Sequence, residues 1–365
     1  MIQQDPGFIV GPIARILGYI IDFVFNFVYP ITERNSLGIS IIILTIIMRF
    51  IMLPLAIKSQ KSMMAMQKLA PEMEKIKKKY AGNKDPESQK KMQAEMQALY
   101  TKNKVSPLGG CLPMIIQMPI FIALTHLMNQ SFLYITKLRE VYESLAIQIS
   151  SLPCVYPNPA EIPQWAQALS EKALQYVPEN LRPFQFIASD LIPPGHEFYP
   201  HRIPDMTEAA ARSNLVRLLN RLQPDEWEYL FNGAFYDLTR TVPGQLETIR
   251  QLYEQKNNIE FFFGLNIIET AGWGFPGILI PILTVLTTFL TSWLSMKLTA
   301  HANKDNPQAK MQQRMMMFVM PAMMGFFTIN IPIGVGIYWI TSSIFQVVQQ
   351  AILNKRSSVS PGEKK

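Results

Sequence analysis

Five stretches of the chain are almost continuously apolar: Gly38–Ile57, Leu108–Met128, Gly274–Met296, Met315–Ile329 and Val335–Leu353. At about 1.5 Å of helical rise per residue, runs of this length suit a hydrocarbon core roughly 30 Å thick. Four of them contain no Asp, Glu, Lys or Arg, while the first, GISIIILTIIMRFIMLPLAI, carries Arg49 near its middle. Five such runs are not the pattern of a soluble core, and they predict five membrane-spanning helices. An arginine near a bilayer centre costs about 2.5–3.5 kcal/mol on insertion scales, so Arg49 must face something wet or polar inside a bundle.

The segments between the runs have their own periodicities. Before the first run, Gly11, Arg15, Gly18, Asp22, Asn26 and Tyr29 recur every three or four residues on an otherwise apolar helix. That stripe suits a helix lying in the membrane interface, with a sixth span as the alternative. No charged start and small-residue cleavage site are present, so a signal peptide is not expected. Lys58–Lys104 reads as two helices broken at GNKDP, with Met63, Met66, Met73 and Ile76 on one face of the first arm and Met92, Met96 and Leu99 on one face of the second. These methionines either pack the arms of a helical hairpin together or offer an adaptable surface to apolar partners. Between the second and third runs, apolar-periodic segments such as Met206–Leu222 and Gln245–Tyr253 alternate with proline-rich stretches, which predicts a small, mostly helical domain.

Charge then orients the chain. Lys58–Lys104 holds twelve lysines against five acids, whereas Ser131–Thr270 holds eleven Lys or Arg against seventeen acids. The connection from Lys297 to Arg314 carries Lys297, Lys304, Lys310 and Arg314; the tail carries Lys355, Arg356, Lys364 and Lys365; the turn Asn330–Gly334 carries no basic residue. Basic residues beside short loops mark the cytoplasmic face. The expected organisation is therefore an N-terminal interfacial helix at 1–37, a first span at 38–57, a cytoplasmic helical hairpin at 58–106 and a second span at 107–130. An extracytoplasmic insert at 131–272, a third span at 273–296, a cytoplasmic loop at 297–314, fourth and fifth spans at 315–353 and a cytoplasmic tail at 354–365 complete it. The N-terminus is expected outside and the C-terminus inside. The fold class is an all-α polytopic membrane protein. The formal charge of +7 is not spread as a nucleic-acid-binding face, so nucleic acid is not an expected direct partner.

Chemistry narrows the classes further. Cys111 and Cys154 fall on opposite sides in this topology, so they form no disulfide framework, and neither lies where a lipid-modified N-terminal cysteine would. A phosphate-cradling glycine loop with its lysine is absent. His196 and His201 in HEFYPH are five residues apart with Pro200 between them, which does not build a helical metal site. The spans hold no carboxylates for a cation-coupled pump. Neither catalysis nor a cofactor is expected. Their polar residues nevertheless share faces: Thr45 sits one turn before Arg49, Gln117 lies mid-run, and Thr284, Thr288, Thr291 and Ser295 follow 4–3–4 spacing. In the last run Trp339, Ser342, Gln346 and Gln349 follow 3–4–3 spacing. Hydrogen bonding between helices accounts for any one of these residues as readily as function does. It accounts poorly for Arg49, which no carboxylate in the five runs can neutralise and which therefore calls for water. A hydrated cavity lined by these faces is the simplest solution.

SPLGGCLPMIIQMPIFIAL, Ser106–Leu124, is very similar to the signature of the YidC/Oxa/Alb membrane-protein insertases. IIILTIIMRFIMLPL before a lysine-rich hairpin resembles that family's first core span with its single arginine, and MMMFVMPAMMGFFTINIPIGVGIYWITSSIFQVVQQAIL resembles its closing pair. The likeness covers roughly Gly38–Gln130 and Phe261–Ile352; Ser131–Glu260 is longer than the family's usual outer connection and inherits nothing from it. The resemblance implies five spans around a hydrophilic groove, closed to the outside and open to the cytoplasm and to lipid. It places Arg49, Thr45, Gln117, Tyr338 and Trp339 at groove positions, beside the candidate lining residues Thr284, Thr288, Thr291 and Ser342. It also implies a recruiting hairpin, nascent membrane proteins as clients, and work beside the Sec translocon, with ribosomes delivered by the signal recognition particle. The tail after Leu353 is short, so ribosome contact is expected to be weak or indirect. The implied activity is insertion into the bacterial cytoplasmic membrane. A multispan transporter or channel for small solutes is the main rival, and it predicts intramembrane acids or repeats that the sequence does not contain. A membrane receptor is a second rival, and it predicts a cytoplasmic signalling module where only a hairpin, a short loop and a tail are present.

Overall fold

The structure of the protein is a computed structural model. It describes residues 7–80, 82, 85–103, 105, 112–150, 215–217, 219–220, 222, 224–229, 231–232, 242–299, 311 and 314–358. Cys111, Cys154, His196, His201, most of Met206–Leu222, residues 300–310 and the side chain of Met63 lie outside the described residues.

Helices dominate the described chain, beside one two-stranded sheet and an isolated bridge between Thr270 and Pro332. In order come α1 (Gly7–Thr32), α2 (Ser36–Tyr80), α3 (Pro86–Lys102), α4 (Leu112–Asn129), α5 (Ser131–Tyr134), α6 (Thr136–Ser150), α7 (Pro224–Tyr229) and α8 (Pro243–Glu260). They are followed by β1 (Phe261–Phe262), β2 (Leu265–Asn266), α9 (Leu279–Thr299), a π-helical turn (Met315–Val319), α10 (Met320–Ile329) and α11 (Ile333–Ser358). Two compact units result, one gathering Phe25–Ser36 and Gln130–Phe261, the other Pro6–Val24, Leu37–Asn129 and the chain from Phe262 onward.

Among the described residues three helical segments are long and apolar enough to cross a membrane: Val10–Thr32, Ser36–Ser62 and Leu279–Met296. Ile116–Asn129 and Met315–Ile329 are shorter apolar helices. Helix α11 is long, but Thr341, Ser342, Ser343, Gln346, Gln349 and Gln350 interrupt its apolar sequence.

Helix α1 divides into three faces. Ala14, Leu17, Ile21, Val24, Phe25 and Val28 are buried, while Phe8, Ile16, Tyr19, Phe23, Phe27 and Ile31 form an exposed apolar face. The stripe carrying Arg15, Asp22 and Asn26 runs between them. Such a helix satisfies both a span and an interfacial seat by composition.

The first apolar run does not end where its sequence turns basic. Helix α2 continues for 45 residues, with Pro54 and Pro71 inside it, and becomes the first arm of the hairpin. The second arm starts where its sequence dictates: Asp85 caps α3 by accepting the Ser88 amide at 2.8 Å, Pro86 takes the first helical position and Glu87 the first turn. Near the tip Lys79 Nζ meets Glu95 Oε1 at 2.5 Å, and the Tyr80 hydroxyl donates to the same oxygen at 2.9 Å. Further down, the Tyr100 hydroxyl points at Met73 Sδ, 3.8 Å away.

Within the second unit, α9 packs along both α10 and α11, and α11 also touches α4. Small residues allow this closeness. A Cβ at Gly336 would lie 2.2 Å from Ile280 Cγ2, one at Gly325 would lie 2.3 Å from Val285 Cγ2, and one at Gly334 would lie 2.6 Å from Met128 Sδ and 3.1 Å from Ile41 Cδ1. The chain preceding α9 supplies acceptors for the first amides of α11: Ile333 N donates to Glu269 O at 2.8 Å and Gly334 N to Ile267 O at 2.7 Å. Helix α9 begins at Leu279 rather than at Gly274, because residues 270–278 are committed to this connection and to turns around Pro276.

The first unit has its own core. On α6, Leu138, Val141, Tyr142, Leu145, Ala146 and Ile149 are buried, a helical stripe that pairs with Leu246, Ile249 and Ile259 of α8. Glu260, fully buried, accepts the Tyr142 hydroxyl at 2.7 Å and lies 2.8 Å from Lys256 Nζ, itself 3% exposed. The expected helicity of the insert is seen in its described part.

Candidate functional site

Three helices of the second unit bring polar side chains to one place. From α2, the Arg49 guanidinium donates through Nη2 to Ser342 Oγ on α11, 293 positions away in sequence. From α4, Gln117 Nε2 donates to the Tyr338 hydroxyl, one turn before Ser342 on the same helix. Tyr338 and Ser342 are both buried, and Arg49 is half-buried. Phe50, next to Arg49, packs edge-on against Phe345, which holds α2 to α11 on the flank of the cluster. Among the described residues no carboxylate pairs with Arg49, so a neutral hydroxyl is the partner found for a full positive charge on an apolar helix. A guanidinium has five N–H donors, and one hydroxyl leaves most of that capacity unused.

Thr45 shares the Arg49 face of α2 and is fully buried; its hydroxyl donates back to Ile41 O at 2.6 Å on its own helix. The threonine row of α9 is turned toward α11. Thr288 Oγ1 accepts Trp339 Nε1 at 3.2 Å, and Thr291 Oγ1 approaches Ser343 O at 3.4 Å. Ser295 Oγ accepts Gln350 Nε2 at 2.7 Å. Thr284, at the head of the row, is fully buried. Trp339 also meets Phe121 of α4 edge-on at 5.8 Å, so its ring is held between α9 and α4. Eight of the residues singled out from sequence thus fall into two groups: Arg49, Gln117, Tyr338 and Ser342 join α2 and α4 to α11, and Thr288, Thr291, Ser295 and Trp339 join α9 to α11, while Thr45 and Thr284 belong to neither.

Sequence spacing missed three participants. It selected Gln349, but the bond to Ser295 is made by Gln350, about 100° further round the helix. It did not single out Ser343, whose carbonyl faces Thr291, or Phe121, which was one apolar residue among many. Adjacent pairs such as Ser342–Ser343 and Gln349–Gln350 leave the polar face ambiguous until the helix has a neighbour.

The hairpin forms a second candidate surface. Met66, Met73, Met92 and Met96 are all half-buried, so each leaves part of its side chain uncovered. The clasp at the tip is electrostatic. Hydrogen bonds from Lys79 and Tyr80 hold the Glu95 carboxyl below its usual range, and the bond to Glu95 raises Lys79.

A description of the 60Kd inner membrane protein family matches residues 27–176 and 233–360. A membrane protein insertase YidC of Oceanobacillus iheyensis is 26% identical over 338 residues, covering 90% of this chain and 82% of that relative. Shorter and closer likenesses are 48% identity over 109 residues with the membrane protein insertase YidC 2 of Bacillus anthracis and 52% over 90 residues with the membrane protein insertase YidC of Fusobacterium nucleatum. These two matches span 27% and 25% of this chain and 42% of each relative.

Proposed function

The chain belongs to the 60Kd inner membrane protein family, that of the YidC membrane protein insertases, and from that premise we propose how its polar cluster serves insertion. Arg49, Gln117, Tyr338 and Ser342 form the floor of a hydrated groove, with Thr45, Thr284, Thr288, Thr291 and Trp339 bracing or lining its walls. Five spans enclose it: the apolar part of α2, α4, α9, the π turn with α10, and α11. With α1 seated in the interface, the N-terminus lies outside the cytoplasmic membrane and the C-terminus inside, an orientation that the lysine distribution favours. The observation that carries this reading is Arg49, a cation on an apolar helix whose visible partner is a serine hydroxyl.

Insertion needs no fuel at this step. Apolar surface moved from water into lipid gains about 25 cal/mol per Å², so a whole client span gains ample free energy. The barrier lies in carrying its polar flank through hydrocarbon. A wet groove shortens the hydrocarbon path, and a positive charge within it favours an acidic flank. The client then leaves sideways into the bilayer. The hairpin, through Met63, Met66, Met73, Met92 and Met96, offers a pliable first contact for apolar client segments. Nascent membrane proteins and the bilayer are its partners in this scheme, joined by the Sec translocon, with contact to the ribosome and the signal recognition particle weak or indirect.

The test is insertion of matched clients with acidic or neutral N-terminal tails by reconstituted wild type, Arg49→Lys and Arg49→Ala. Lys should retain substantial insertion of the acidic client. Ala should lose it while remaining folded, and the neutral client should suffer less. Equal insertion of the acidic client by Ala and wild type would refute the electrostatic role of Arg49.

A further inference from the structure

The connection from Thr270 to Ile278 is tightly framed, yet it turns two large rings outward. Gly272 N donates to Ile329 O at 2.9 Å, Ala271 N to Ile331 O at 3.3 Å, and Ile278 N to Gly274 O at 2.9 Å. Gly272 holds φ +63°, and a Cβ on Gly277 would sit 2.0 Å from the Ala271 carbonyl oxygen. Ala271 and Gly277 are buried, whereas Trp273 is 72% and Phe275 84% exposed. A loop held on one side by its own hydrogen bonds therefore presents its aromatic payload on the other.

The next element says what covers those rings. Helix α9 starts at Leu279, four residues after Phe275, and Leu279–Met296 is long and apolar enough to cross a membrane. At 1.5 Å per residue those 18 residues rise about 27 Å, close to the thickness of the hydrocarbon core. Leu279, Ile282, Leu283, Leu286 and Leu290 are all exposed along it. Near its other end stands Trp293, 39% exposed. Aromatic rings thus bracket an exposed aliphatic face, which is the distribution that the two headgroup boundaries of a bilayer select.

We propose that Trp273 and Phe275 form a lipid anchor that seats the Leu279 end of α9 at the headgroup–acyl boundary. The occupant is the bilayer itself rather than a protein partner, because the rings directly precede an exposed aliphatic face on a helix long and apolar enough to cross a membrane. The framed loop stiffens the backbone that carries the anchor: the neighbouring amides of Ala271 and Gly272 are tied to Ile331 and Ile329, so the rings set the depth of α9 and, through Gly336 and Ile280, of α11 beside it. The proposal rests on the reading of α9 as a span.

The test uses the full chain in lipid nanodiscs. The difference in tryptophan emission between native protein and Trp273→Phe isolates Trp273. Lipids brominated high on the acyl chain should quench most of that signal, lipids brominated near the terminal methyl should quench it less, and aqueous iodide should leave it nearly unchanged. A Leu286→Cys probe, in a background with Cys111→Ser and Cys154→Ser, checks the span itself and should resist a water-soluble thiol reagent. Iodide quenching without bromine quenching, with Leu286→Cys protected, overturns the anchor and spares the span. A signal shielded from both quenchers assigns the rings to a protein contact and also overturns it. Labelling of Leu286→Cys from water removes the span reading and the anchor with it. In the pair Trp273→Ser with Phe275→Ser, a nitroxide at Leu279→Cys should become more accessible to a water-soluble relaxant. Unchanged accessibility would show that the rings do not set the depth.

Discussion

Glu260→Gln isolates the charge in the buried Lys256–Glu260–Tyr142 cluster. Gln keeps the volume and an oxygen for the Tyr142 hydroxyl, which now lies 2.7 Å from Glu260 Oε1, so the tyrosine bond survives. What is lost is the anion 2.8 Å from Lys256 Nζ, in a site where the two side chains are 3% and 0% exposed. The ammonium keeps partial company from the Tyr142 and Tyr253 rings, at 5.9 and 5.6 Å, and from Asn257 Oδ1 at 3.4 Å, and none of these carries a negative charge. Removing one partner of a buried pair costs about 3–5 kcal/mol, because the remaining charge stays desolvated. Hydrogen exchange of α6 and α8 amides in the reconstituted chain reads this directly. At about 1.4 kcal/mol per tenfold, protection of the slowest amides should fall by roughly two to three and a half orders of magnitude. Lys256→Met combined with Glu260→Gln should recover most of it, since a neutral pair of similar volume has no charge left to strand. Protection in Glu260→Gln within tenfold of wild type would refute the reasoning, for it would mean that water or another anion reaches Lys256. Failure of the double substitution to recover would show that packing, not charge, sets the cost.

Three further outcomes follow from the geometry. Gly38→Ala places a Cβ 2.2 Å from the Phe262 ring, and overpacking of this kind costs about 1–3 kcal/mol; thermal unfolding should show the loss and Phe262→Ala should restore part of it. The hairpin clasp should hold across neutral pH: the Glu95 contribution is present above the ordinary carboxylate range and disappears as pH falls through its lowered folded value, while that of Lys79 is present below the ordinary lysine range and disappears as pH rises through its raised one. Distance measurements between labels on the arms should therefore lengthen at both extremes, and Glu95→Gln should loosen the tip at neutral pH; identical distances throughout would refute the clasp. Replacing 138–258 with a flexible linker should leave a folded bundle with basal insertion activity, read by reconstituted insertion of a single-span client; a stable but inactive product would place a needed element in the insert.

The sequence by itself determined the elements that local periodicity governs. Long apolar runs, the break at GNKDP and the apolar-periodic segment Gln245–Tyr253 inside α8 are written in short-range spacing, so helicity and the presence of spans were legible without coordinates. Arg49 stood out because its cost arises from its own helix. Tertiary structure decided what each polar face meets. The partner of Arg49 is 293 positions distant and that of Gln117 is 221, and no spacing rule reaches so far. The choice of Gln350 over Gln349 depended on how α11 is rotated against α9. The Lys256–Glu260 pair shows the limit most plainly: at i and i+4 on a helix it reads as a solvated surface pair, and only the packing of α6 and Tyr142 over it makes it a buried charge. Desolvation is a property of neighbours, and neighbours are what a sequence leaves unstated.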